Sequence, residues 1–147
     1  RFVQTDATFY GAEAEASYRL WRDGARSFRL EGAADYVRGE TDLGAQPRIP
    51  PWSATGRAVF EGGWWTGKLE LRQVGGQKRT AQYELPTDDY RMLNVSVSAT
   101  PFADRNLKVF FEGRNLNDAE AREHASFLKD YAPLPGRSFR IGAGYRF

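Results

Sequence analysis

Cysteine is absent from the 147 residues, and histidine and methionine occur once each, as His124 and Met92. Without cysteine there is no disulfide scaffold and no Cys-based zinc fold. One histidine leaves no multi-His metal centre within this chain. No apolar run approaches the roughly 18 residues of a spanning helix, and no charged-then-apolar leader is present. With Met92 as the only methionine, the sequence is expected to be a processed product or the C-terminal piece of a longer protein. An excess of one charge is also lacking. Basic and acidic residues, 21 against 19, are interspersed and nearly cancel, so a sequence pI near 9.0 is weak support for a nucleic-acid partner, and none is expected.

Catalytic constellations are missing too. No serine sits in a Gly-x-Ser-x-Gly context, and one histidine cannot serve both acid–base and metal roles. Gly62-Gly63 and Gly75-Gly76 lack the following Lys-Ser/Thr and helix of a phosphate loop. Glu13 and Glu15 share a strand face about 7 Å apart, but hydrolysis would need an enclosed site around them. Neither an enzyme nor a bound cofactor is expected.

What the chain has is alternation. Apolar residues are 41% of the sequence and aromatic ones 14%, too many for a disordered chain, and they recur with period two. Strands are expected near 7–22, 26–40, 53–62, 64–75, 90–100, 105–115 and 137–147. In the first, Tyr10, Ala12, Ala14, Ala16, Tyr18 and Leu20 oppose Glu13, Glu15, Ser17 and Arg19. In the fifth, Leu93, Val95, Val97 and Ala99 oppose Asn94, Ser96 and Ser98. Connections alternate in length: short near 23–26, 62–63 and 101–104, longer at 41–51, 75–89 and 115–137. An antiparallel meander then gathers short turns at one end and long loops at the other, the asymmetry of outer-membrane barrels. The segment 1–6 reads as part of a further outside loop.

Periodicity alone does not say whether the apolar face is a soluble core or a lipid-facing wall. Aromatic placement does. Tyr10, Tyr36, Trp52 and Phe139 fall on that face near the long-loop end; Tyr18, Phe28, Phe60, Trp65, Tyr145 and Phe147 fall near the short-turn end. Small and aliphatic residues lie between, as expected of belts at headgroup depth. A soluble core would place its bulk in the middle. Arg38 and Arg91, the exceptions on this face, both lie at the long-loop end, where they are expected to snorkel at the interface or to contact lipopolysaccharide phosphates. The fold class expected is therefore all-β, an antiparallel up-and-down transmembrane barrel segment. Seven strands are an odd number, so the barrel is expected to be larger than this chain.

The closing run Arg140-Ile141-Gly142-Ala143-Gly144-Tyr145-Arg146-Phe147 resembles the outer-membrane β-signal read by the barrel assembly machinery, with Gly142, Tyr145 and Phe147 as its signal positions. Asn115-Leu116-Asn117-Asp118 after a strand, and Pro135-Gly136-Arg137 before the last one, resemble the end of TonB-dependent outer-membrane receptors. Phe9-Tyr10-Gly11-Ala12-Glu13 is similar to an earlier strand of those barrels. The resemblance implies a barrel of about 22 strands with a plugged lumen, of which the chain 1–147 would supply roughly the last third, the plug domain being absent from it. It implies a Gram-negative outer-membrane location and active uptake of a scarce nutrient such as a metal ion, metal chelate or siderophore. Partners implied are outer-membrane lipid and lipopolysaccharide, the assembly machinery, and the TonB complex through the missing N-terminal part. The run from His124 to Arg137 looks like a metal-uptake branch of the family, zinc included. The alternatives are a smaller outer-membrane porin or adhesin-like barrel, or a soluble lipid-binding barrel.

The last long loop supplies the candidate site. Arg122, Glu123, His124, Lys129, Asp130 and Tyr131 are expected to contact ligand there. A short helix over 118–129 would bring Glu120 and His124 to one face at i, i+4 spacing as two metal ligands, with the remaining ligands coming from elsewhere.

Overall fold

The computed structural model describes residues 5–102 and 106–147. The expected outside segment 1–6 therefore lies mostly outside the described residues, and the turn at 101–104 and the start of the strand at 105 lie partly outside them. The strands are β1 (Ala7–Asp23), β2 (Arg26–Thr41), β3 (Gly44–Ala45), β4 (Ser53–Gly62), β5 (Trp65–Val74), β6 (Tyr90–Ala99), β7 (Leu107–Arg114) and β8 (Ser138–Tyr145). Apart from β3, a two-residue return that pairs with the end of β2, they form one antiparallel meander in chain order. Among the described residues β1 pairs only with β2 and β8 only with β7, so the sheet is open.

Cross-strand register keeps the two residue classes apart. One row runs Glu31–Arg57–Glu70–Asn94 across four strands, and another runs Ser96–Glu112–Arg140. On the opposite face Tyr18, Leu30, Ala58, Leu69 and Val95 line up, as do Phe28, Phe60, Gly67, Val97, Phe111 and Ile141. A slip of one residue would exchange the faces, so this pairing follows directly from the alternation. Cross-strand ion pairs then hold the polar face, Arg57 to Glu70 at 2.6 Å and Arg140 to Glu112 at 3.1 Å.

Which face is inside is decided by shape and exposure. The charged face is concave: Glu31, Arg57, Glu70, Arg72 and Glu112 line an open hollow of about 700 Å³. In β5, well away from either edge, Leu69 and Leu71 are 49% and 44% exposed, whereas the side chain of the intervening Glu70 is 26% exposed. A soluble barrel has the reverse order.

The phase of β1 differs from strict alternation at one point. A bulge at Leu20 shifts the register so that Trp21, rather than Leu20, pairs with Phe28. One extra residue resets the side-chain phase, and Trp21 joins the short-turn aromatic row. Two tight turns at that end use glycine at positive φ, Gly24 at 54° and Gly63 at 87°. Glycine at the first of two loop positions suits the hairpin turns that match strand twist. Tyr36 and Phe28 are eight residues apart, about 26 Å along the strand, which is the scale of the apolar band of an outer-membrane barrel.

Candidate functional site

Three long loops gather at one end of the sheet: residues 42–52, 75–89 and 115–137. Each is anchored by its own backbone first. Gln77 and Thr87 exchange amide–carbonyl bonds of 2.9 and 3.0 Å, extending the β5–β6 hairpin into the second loop. The third loop is organised by Asn115, fully buried and at positive φ. Its side chain donates to the Ala119 and Pro135 carbonyls and accepts from the Ala119 amide. Asn117 extends the ladder beside β6, accepting from the Leu93 amide and donating to the Arg91 carbonyl. Asp118, also at positive φ, accepts from the Arg137 amide at 2.8 Å. The Asn-Leu-Asn-Asp segment is thus a splice joining β6, β7 and the entry to β8.

The expected helix over 118–129 does not form; the segment runs irregularly to 123 and then through short turns. Asn115 takes the Ala119 amide for its side chain, and Asp118 sits in the left-handed region that a helix cannot propagate through. Glu120 and His124 are therefore not displayed on one helical face. Glu120 pairs with Arg122 at 2.9 Å in the open, while His124 is 1% exposed. Among the described residues no three His, Cys, Asp or Glu side chains cluster in an arrangement able to hold a metal ion.

His124 belongs to a different constellation, centred on Glu84. One oxygen of Glu84 accepts from the Arg48 amide at 2.9 Å and from Lys129 Nζ at 3.0 Å, and lies 3.3 Å from His124 Nε2. Its other oxygen accepts from the Ala81 amide at 3.0 Å. The imidazole Nδ1 meets the Thr87 hydroxyl at 2.9 Å, and Lys129 also donates to the Leu85 carbonyl at 2.7 Å. Arg48 from the first loop stacks over Phe127 of the third, 3.7 Å from the ring centre. All three loops are therefore tied to one carboxylate. Burial pushes the Glu84 carboxyl upward, but the two amides and the Lys129 ammonium outweigh it and hold it below the ordinary glutamate value. Burial, then the neighbouring Lys129 charge, pushes His124 below its ordinary value, with Glu84 opposing.

The other expected ligand contacts divide by exposure. Tyr131 is 85% exposed and Asp130 lies on the surface. Glu123 is half-buried, and Arg122 reaches back to the Lys129 carbonyl at 2.7 Å. His124 and Lys129 lie in the loop interior instead of facing solvent. Glu84 gave no warning in the sequence, since its partners in the other two loops come from 36 to 45 residues away. Beneath the loops, the third loop returns over the hollow through Leu134 and Pro135, and Leu134 packs with Met92 against Val74, Tyr90 and Ala121. Arg72 Nε, which borders that hollow, is the one buried side-chain nitrogen or oxygen among the described residues without a hydrogen-bond partner.

At the β8 end, Gly142 faces Phe110 across the ladder, and a Cβ there would fall within 2.6 Å of the ring. Tyr145 and Phe147 project freely at the short-turn end. A family model described as TonB dependent receptor-like, beta-barrel, matches residues 1–116. The chain belongs to that family. It is accordingly a portion of outer-membrane β-barrel from a Gram-negative bacterium. Among solved structures, the copper transporter OprC superposes with a TM-score of 0.86 at 24% identity, over 97% of this chain and 23% of its own length. That likeness concerns the fold. The chain spans about a quarter of the structure it matches.

Proposed function

We propose that this chain is the C-terminal part of the barrel of a TonB-dependent receptor that actively imports a metal ion or metal chelate. The observation that carries the transport reading is the inverted polarity of the sheet, with oily side chains on the convex wall and paired charges lining the hollow. An open sheet edge cannot rest in hydrocarbon, because its unpaired amides and carbonyls would have no partners. Further strands of the same receptor would pair with β1 and β8, supporting a barrel of about 22 strands. A plug elsewhere in the receptor would fill the hollow and meet the charges along it, and energy would come through the TonB complex.

Cargo recognition falls to the loop cap. Tyr131, Asp130 and Glu123, with Arg122 and Glu120 beside them, offer carboxylates, a phenol and a guanidinium at the mouth, chemistry suited to a metal or an anionic chelate. His124 and Lys129 would act from beneath by holding the loop in shape. The family neighbour named as a copper transporter supports a metal cargo. Gly142, Tyr145 and Phe147 would be read by the barrel assembly machinery during insertion, and lipid and lipopolysaccharide would surround the wall.

The test is uptake in cells that depend on the full receptor, with copper, zinc and ferric chelates as separate cargoes. Deletion is expected to abolish accumulation of one of these at scarce supply, and Tyr131→Ala with Asp130→Asn to reduce it. Unchanged accumulation of all three on deletion overturns the metal assignment.

A further inference from the structure

Away from the Glu84 cluster, where the first and second loops meet the end of β2, the wall carries a recess that the proposed cargo site does not use. The β2–β4 ladder stops at Asp35–Ser53 while β2 continues to Thr41. The gap above it is lined by Tyr36, Arg38, Ile49, Pro51, Trp52 and Arg79, with a volume of about 220 Å³. Trp52 forms its side wall by lying over Gly75, where the absence of a Cβ makes room for the indole. Tyr36 and Trp52 belong to the aromatic row at the long-loop end, so the recess lies at outer-leaflet headgroup depth.

Its polar part is unusual for that depth. A single oxygen of Glu40 accepts from Arg38 Nε at 2.9 Å and from Arg79 Nη2 at 2.7 Å. Two guanidiniums are thereby held side by side against one carboxylate, with a net positive charge. Each side chain is still about 40% exposed. A guanidinium has five N–H donors, so most of those on this pair remain for an anion. Arg91, a further cation at the long-loop end of this face, is set apart and bonded to Gln73.

We infer that this recess binds the phosphorylated headgroup of an outer-leaflet glycolipid, with Arg38 and Arg79 clamping phosphate and Trp52 and Tyr36 packing against the sugar. Two forked cations suit a phosphate monoester, and basic pockets at membrane depth recognise lipid headgroups by the same chemistry. The inference deepens the proposal that lipopolysaccharide surrounds the wall, and it does not depend on the cargo.

The test uses the full receptor in detergent, with lipid retention read by native mass spectrometry. Probes are bis-phosphorylated lipid A, its dephosphorylated form and inorganic phosphate. Arg38→Gln with Arg79→Gln is expected to lower retention of the phosphorylated lipid by roughly tenfold or more, the scale of two cations facing an anionic headgroup. Arg91→Gln should leave it unchanged. Glu40→Gln separates ligand binding from a merely structural ion pair. It removes the competing carboxylate and should preserve or raise retention, whereas loss equal to that of the arginine variants would overturn the site. Retention by the double variant at the wild-type level would also overturn it. So would full competition by inorganic phosphate, which would mark a free-phosphate site. Metal uptake measured in the same strains reports separately on the cargo reading.

Discussion

Removing the Glu84 carboxylate should release the loop cap while leaving the sheet intact. In Glu84→Ala, Lys129 keeps the Leu85 carbonyl and the long contacts of 3.4 and 3.5 Å to the His124 ring but no counter-charge for an ammonium that is 6% exposed, and the Arg48 and Ala81 amides lose their acceptor. Deleting one partner of a buried ion pair costs about 3–5 kcal/mol. The lower figure suits a cluster near the surface. At about 1.4 kcal/mol per decade, roughly 100-fold more frequent local opening follows. Hydrogen exchange on the full receptor in nanodiscs reads this directly. Peptides covering 75–89 and 115–137 should exchange roughly 100-fold faster, with β4 and β5 unchanged. Glu84→Gln retains an acceptor but no charge and should fall between. Exchange in the loops equal to wild type would refute the hub, and uniform acceleration through the strands would show that the effect is global.

Acidification should act in the same direction. Both Glu84 and His124 sit below their ordinary values, so the unfolded loop binds protons more readily than the folded one and stability rises with pH. The His124 contribution is present above about pH 6.5 and the Glu84 contribution above about pH 4.3; each is lost as pH falls through the lowered value. The protection of the loop amides, taken relative to the intrinsic exchange rate at each pH, should therefore fall on acidification below about pH 6.5, and His124→Gln should flatten the upper part of that profile. Asn115→Ala removes three side-chain bonds at a fully buried position. It should loosen residues 115–121 by about 2 kcal/mol, seen as faster exchange there. Leu69→Arg places a cation mid-wall at a cost of about 2–4 kcal/mol, measured as reduced urea resistance in lipid, whereas Lys68→Leu on the concave face should cost far less. Gly142→Val drives a side chain into Phe110, and slower assembly into the outer membrane, followed by heat-modifiable gel mobility, is the expected result.

The strands were legible because strand physics is local. Alternation in residues such as Leu69, Glu70 and Leu71 fixes face and register together, and aromatic position gave the side that meets lipid. The bulge at Leu20 escaped because nothing in a run of apolar and basic residues marks where one residue drops out of the ladder. The loops were less legible. Composition in 118–129 suggested a helix, yet one buried asparagine three residues upstream redirected the backbone. His124 looked like a surface residue or a metal ligand, and its true neighbours, Glu84 and Thr87, lie about 40 residues earlier in another loop. Contacts of that span leave no periodic trace. Arg38 stood out by its position on the apolar face, but its link to Arg79 through Glu40 depends on how the second loop folds back.

The most direct test of the inverted wall is solvent accessibility along β5 and β6 in the full receptor in bilayers. This segment has no native cysteine, so single cysteines at Leu69, Leu71 and Val97 and at Glu70, Asn94 and Ser96 can carry spin labels, with relaxation by oxygen and by a water-soluble nickel chelate compared at each. The account predicts oxygen-dominated relaxation at the first three sites and little of it at the second three. Nickel-dominated relaxation at Leu69, Leu71 and Val97, with oxygen favoured at Glu70 and Asn94, would contradict it.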